Sequence, residues 1–197
     1  APPIVVIGTV GDPATPYELD PETHFVVRPN DQVLDDTDRY GIELALQLAE
    51  ATEGSVTLVS MSPAGGLQGI RQALAMGADK AVLIDSGEAD LDAFNTAALV
   101  ARHLKTIPHD IVFCGRQAVD GDDSQFPGRL AALLDLPCVA EVLTLSLEDG
   151  VFTAERDIEG SREVVRCPTP CVISANKGLN EPRYASLKGI MAAKKKP

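Results

Sequence analysis

Between residues 4 and 134, short apolar runs alternate four times with stretches of helical periodicity, and few folds accommodate that order. Ile4 to Ile7, Ser55 to Met61, Ala81 to Ile84 and Ile111 to Phe113 have strand length and read as buried strands. Between them the apolar spacing becomes helical. Ile42, Ala45, Leu46, Leu48 and Ala49 recur from Asp38 until Gly54 stops them, and Ile70, Ala73 and Leu74 run up to Gly77. Leu91 to Leu104 and Gly128 to Leu134 complete the set. Such alternation builds a parallel sheet with right-handed crossovers. The expected fold is α/β: an open, mostly parallel, Rossmann-like sheet with helices on both faces. With 45% hydrophobic and 4% aromatic residues and no Trp, its core must be made from Val, Leu, Ile and Ala.

Residues 11–36 are rich in Asp, Pro and Thr and read as loop, with a small excursion at His24-Phe25-Val26-Val27. After Pro137 the texture changes. Val142, Leu143, Leu145 and Leu147 precede the hairpin signal Asp149-Gly150, Val151 to Ile158 answers them, and Glu163 to Arg166 follows Gly160-Ser161. This is an antiparallel meander, with Cys171 to Ala175 as a last strand able to rejoin the main sheet. The chain thus divides into an α/β unit (1–137), a meander and strand completing it (138–175), and a surface loop with a basic tail (176–197). Lys194-Lys195-Lys196 reads by itself as a solvated tail.

The stretch IVFCGRQAVDGDDSQFPG, residues 111–128, is strand, polar loop and helix start in succession. Open α/β sheets place anionic ligands at such junctions, where free helix amides face the site. Gly115 and Gly121 would let a ligand approach, Pro127 suits a first helical turn, and Ser124 opens the helix. Asp123 or Ser124 serving only as an N-cap explains the same residues. Asp120, Asp122 and Asp123 are poor neighbours for a phosphate unless they turn away or meet ribose hydroxyls. Arg116 is as suited to an ion pair as to an anion. The stretch has neither GxGxxG nor GxxxxGK[ST].

Catalysis and metal binding find little support. His24, His103 and His109 are isolated, and no GxSxG elbow occurs. Cys167 and Cys171 flank Pro168-Thr169-Pro170 without a His nearby, so no metal site is expected. The four cysteines are expected as thiols in a reducing compartment, the cytoplasm or, in a eukaryote, the mitochondrial matrix. A net charge of −12 opposes nonspecific binding to nucleic acid. No apolar run reaches membrane-spanning length, and no leader is visible, although the chain starts at Ala1 and a removed Met or leader would fit. In GLNEPRYASLKGI, residues 178–190, Leu179 and Tyr184 stand among polar neighbours with nothing periodic to bury them. Partner contact and a satellite packing cluster both account for that pattern.

Four segments carry a family resemblance over nearly the whole chain: Ser60-Met61-Ser62-Pro63, RQALAMGAD at 71–79, Cys114 to Gly128, and Leu179 to Ile190. The sequence closely resembles the β subunit of electron-transfer flavoproteins. The resemblance implies a heterodimer with a FAD-carrying α subunit, relaying electrons from flavin-dependent dehydrogenases. It implies an adenine nucleotide at the carboxyl edge of the sheet, AMP in ordinary members and FAD in bifurcating or Fix-type members, where it takes hydride from NADH. The implied contacts are Ile7, Gly8, the 35–38 segment with Asp38, Met61, and the loop Gly115, Arg116, Gln117, Ala118, Val119, Asp120, Gly121, Asp122, Ser124, Gln125 and Phe126. The DGDxxQxxP spacing and the LKGI ending look more like the bifurcating group. In the family the 178–190 loop docks the dehydrogenase, with Leu179 as anchor and Asn180, Glu181, Pro182, Arg183 and Tyr184 beside it. That would also place Lys188 and Lys194 to Lys196 at an interface.

Departures fall at the site itself. Gly8-Thr9-Val10-Gly11-Asp12 replaces the family's Val-Lys and later Pro-Asp, and Asp35-Asp36 replaces its Asn-Pro. Family members continue with a long arm around the α subunit, whereas this chain ends at Pro197; either the arm was removed or the association differs. A rival reading is a nucleotide-binding regulatory module of stress-protein type, which has no need of the LNEPRY string.

Overall fold

In the computed structural model, residues 2–89 and 91–197 are described. The strands are β1 (Ile4–Ile7), β2 (Thr9–Gly11), β3 (Glu18–Leu19), β4 (Val26–Val27), β5 (Gln32–Leu34), β6 (Thr57–Ser62), β7 (Lys80–Asp85), β8 (Ile111–Gly115), β9 (Cys138–Val142), β10 (Thr144–Glu148), β11 (Val151–Ile158), β12 (Ser161–Pro168) and β13 (Cys171–Ala175). The α-helices are α1 (Asp38–Thr52), α2 (Leu67–Met76), α3 (Ala93–Leu104), α4 (Phe126–Leu134) and α5 (Leu187–Ala193).

Six strands form one sheet in the order β7-β6-β1-β8-β13-β9, and every pair is parallel. Side-chain alternation along β1 divides the core. Val5 and Ile7 face Ile42, Leu46, Ile70 and Leu74 of α1 and α2, while Ile4 and Val6 face Val100, Leu104 and Leu130 of α3 and α4. Because both faces are covered, β1 is buried along its whole length and reads as an uninterrupted IVVI. The α/β architecture expected from the sequence is therefore present.

The 138–175 segment differs in detail from its reading as meander followed by strand. β10, β11 and β12 are an antiparallel meander, but Cys138–Val142 is a parallel edge strand of the main sheet. β13 enters between β8 and β9, so the strand before the meander and the strand after it lie side by side. Asp149 and Gly150, at φ 50° and 74°, make the tight β10–β11 turn that the Asp-Gly pair predicts.

The 176–197 segment is more ordered than a loop and tail. Ser186 caps α5 by accepting from Gly189 N at 2.9 Å, and α5 packs on α2. Gly189 lies against the Ala75 carbonyl, where a Cβ would collide. Lys196 is not a solvated tail residue. Its Nζ donates to Leu74 O at 3.1 Å and Ala78 O at 2.6 Å, satisfying carbonyls at the carboxyl end of α2.

Helix α4 opens at Phe126, two residues beyond Ser124, and neither Asp123 nor Ser124 is its N-cap. Gln125 holds that position and makes no side-chain cap bond. Asp122 and Ser124 adopt left-handed backbone at φ 52° and 55°, and Asp123 Oδ1 accepts from Gln125 N at 3.0 Å. A local Asp-centred turn thus delays the helix. Pro127 does fall in its first turn.

A candidate nucleotide site at the switch point

From β1 the chain winds outward through α1, β6, α2 and β7, then crosses back through α3 to β8 on the other side of β1. The direction of winding reverses between β1 and β8, and their carboxyl ends diverge. That is the place where open α/β sheets form a ligand crevice.

The bottom of this crevice is filled by the protein itself. Asp38, the first residue of α1, is 7% exposed, and accepts from Gly8 N at 2.6 Å and from Gly115 N at 2.9 Å. One carboxyl group thereby ties the ends of β1 and β8 together beneath the N-terminus of α1. Burial, with the nearby charge of Asp35 second, raises the Asp38 pKa to about 8 against the opposing pull of the two amides. Gly115 is required by this closeness: a Cβ there would stand 2.5 Å from Asp38 Oδ1 and 2.6 Å from Thr37 Oγ1.

Asp35 and Thr37 hold the loop above. Asp35 is fully buried; its Oδ2 accepts from Val119 N and its Oδ1 from Thr37 N, each at 2.8 Å. Thr37 Oγ1 donates to Gln117 O at 2.6 Å. Further along, Gln117 bonds to Asp122 and to Ser124, bracing the loop across its own turn. Ala118, Val119, Gly121, Asp122, Ser124 and Gln125 stay exposed, while Phe126 packs half-buried on the α3–α4 core. Nothing lies within 4 Å of where a Gly121 Cβ would be, and the left-handed positions are Asp122 and Ser124 instead. Arg116 pairs with Glu141 at 3.6 Å.

Beside this loop lies an open cleft of about 460 Å³, lined by Thr9, Arg28, Asn30, Met61, Ser62 and Thr96 among others. Ile7 is 3% exposed and Gly8 half-buried, so the end of β1 offers backbone rather than side chain. Of the predicted residues Met61 lines this cleft; Gly8 and Gly115 are bound to Asp38, and the 116–125 loop meets the cleft through the Arg28–Asp120 pair. Arg28, Asn30 and Thr96 escaped sequence reasoning. They come from the 11–36 excursion and α3, far from the loop in sequence and without periodicity to flag them.

The 178–190 segment lies elsewhere and folds back on α1. Leu179 is half-buried against the core, and Asn180 Nδ2 donates to Tyr40 O at 3.0 Å. Arg183 reaches Glu43 at 2.8 Å and Glu50 at 2.5 Å. These acids hold its guanidinium pKa above the ordinary value; burial works to raise the Glu43 pKa, but the Arg183 hydrogen bonds outweigh it and lower it, as they do that of Glu50. Pro182 is half-buried and Glu181 exposed. Tyr184, at 97% exposure, and Leu187, at 78%, point outward with Met191.

The family model for the electron transfer flavoprotein domain matches residues 23–197. The chain belongs to the electron transfer flavoprotein family. It is 37% identical over 192 residues to the electron transfer flavoprotein subunit beta of Thermoanaerobacterium thermosaccharolyticum, covering 96% of this chain and 74% of that one. It is 40% identical over 168 residues to the same subunit of Bacillus subtilis, covering 84% and 65%. A third relative, the caffeyl-CoA reductase-Etf complex subunit CarD of Acetobacterium woodii, is 34% identical over 184 residues, covering 91% and 70%. The chain thus spans about two thirds to three quarters of the length of these relatives. The resemblance to flavoprotein β subunits read from the sequence is borne out. None of the helices among the described residues is long and apolar enough to cross a membrane.

Proposed function

We propose that this chain is the nucleotide-binding β subunit of a cytoplasmic electron-transfer flavoprotein, pairing with a FAD-carrying α subunit to relay electrons from dehydrogenases. One observation carries the reading: a loop braced by Asp35 and Thr37 stands over the switch point in a chain matched to the flavoprotein family over residues 23–197. An adenine nucleotide suits the site. The cleft is of ligand size and lined by hydroxyl and amide groups, and Met61 offers an apolar surface to a base. Gly8, Met61 and residues 117–126 would hold it. In this reading the subunit's own contribution is binding and support. Tyr184 and Leu187 supply an exposed docking surface for the dehydrogenase, whereas Leu179 braces the loop from within.

The test is to copurify the chain with an α subunit and identify by mass the nucleotides released on denaturation. AMP with one flavin per heterodimer supports the reading; failure to associate with any α subunit, or a preparation without nucleotide, removes it. Two flavins would favour a second reading, in which FAD occupies this site and accepts hydride from NADH. The size of the open cleft, about 460 Å³, supports that alternative.

A further inference from the structure

A phosphate entering this site meets an adverse charge. The loop carries Asp120, Asp122 and Asp123, with Asp35 beneath it and Glu88 on the cleft wall, in a chain of net charge −12. Most nearby cations are committed to structural partners: Arg39 to Asp36 at 3.1 Å, Arg116 to Glu141 at 3.6 Å, and Arg129 to Gln125 while lying 5.8 Å from the Phe94 ring centroid.

Arg28 is placed differently. It follows β4 and lines the cleft, and its guanidinium stands 3.6 Å from Asp120 on the loop. The Arg28 side chain is 54% exposed and that of Asp120 13%. At 3.6 Å the two charges attract without a close hydrogen bond, so the planar fork keeps its donors for a ligand. Arg28 follows the two-residue strand β4, which pairs with β3, and the chain beyond it is held where β5 pairs with β2 and Thr9 Oγ1 donates to Gln32 Oε1 at 2.6 Å.

We propose that Arg28 binds the phosphate of the adenine nucleotide, and that Asp120 holds its guanidinium at the cleft until the phosphate displaces the carboxylate. A carboxylate and a phosphate compete for the same fork geometry, and the phosphate carries more charge and more acceptor oxygens. Asp120 then serves as a placeholder, and its presence beside an anion site has a physical reason. The idea rests on the nucleotide reading above and names the residue that takes the anionic end.

The test titrates AMP and adenosine into the full chain, stripped of copurified nucleotide, as wild type, Arg28→Ala, Arg28→Lys and Asp120→Asn. Arg28→Ala should weaken AMP about tenfold or more and leave adenosine unchanged, the loss expected for a charged hydrogen bond. Arg28→Lys should recover part of that loss, and Asp120→Asn should tighten AMP by freeing the guanidinium. Equal weakening of AMP and adenosine would make Arg28 a brace for the hairpin and overturn the assignment, as would an unchanged AMP affinity. If wild type binds neither ligand, both this assignment and the nucleotide reading fail; if wild type binds AMP and Arg28→Ala binds it equally, only the assignment fails. Thermal melts of each variant identify any that fail to fold, and the Asp120→Asn arm stands independently of Arg28→Ala.

Discussion

Asp38 sets a pH dependence that can be worked out from its surroundings. Its folded pKa of about 8 lies above the ordinary carboxyl value of 3.8. Between those values the native state keeps a proton that the unfolded chain has released, so stability declines as pH rises through that window. The slope is on the order of 1 kcal/mol per pH unit while one proton separates the states. Urea midpoints measured from pH 5 to pH 8 should therefore fall, and Asp38→Asn should flatten the fall. At pH 5 that variant should cost about 1–3 kcal/mol, because an amide offers one acceptor to two backbone donors. A wild-type midpoint that rises over this range would refute the assignment. Gly115→Ala tests the same junction sterically. With Asp38 N only 2.9 Å from the new Cβ, backbone must shift, and the expected cost is about 1–3 kcal/mol in denaturant melts.

Among the elements, legibility followed periodicity. The β1, α1, β8 and α3 segments were readable because burial on both sheet faces or one helix face leaves an unbroken or 3.6-residue pattern. Cys138–Val142 was misassigned because five residues with partial burial look alike in an edge strand and a meander. α5 was missed because its LKGIMAA exposes Leu187 and Met191, leaving no apolar stripe facing inward. Local pattern pointed only to the contiguous 115–128 loop, and the 35–38 segment and Met61 came with the family resemblance; Arg28, which meets the loop across a long sequence separation, was indicated by neither.

Lys196→Ala should leave the Leu74 and Ala78 carbonyls without their ammonium donor, costing about 0.5–2 kcal/mol and raising amide exchange at the end of α2. Arg183→Ala should uncouple the 178–190 segment from α1. Hydrogen exchange would then increase across 179–190 while β1 and β8 stay protected, since Glu43 is buried and loses its cation. Uniform exchange over the whole chain would contradict a local clamp.

At the scale of the molecule, the two core clusters meet at the central sheet, with the helices wound outward from β1 and back through β8. The candidate site, at the carboxyl edge of the sheet, and the Tyr184–Leu187 surface, on the segment leading into α5, are thus built from different segments, so substitutions at one should be separable from the other. β13 is the last strand among the described residues, yet it occupies a slot between two strands made earlier, β8 and β9. During synthesis that slot stays open until Ala175 has emerged, with β8 presenting an unpaired edge to anything nearby. The sheet's most vulnerable moment therefore falls after β9 to β12 have been made, and chaperone demand should peak just before β13 arrives.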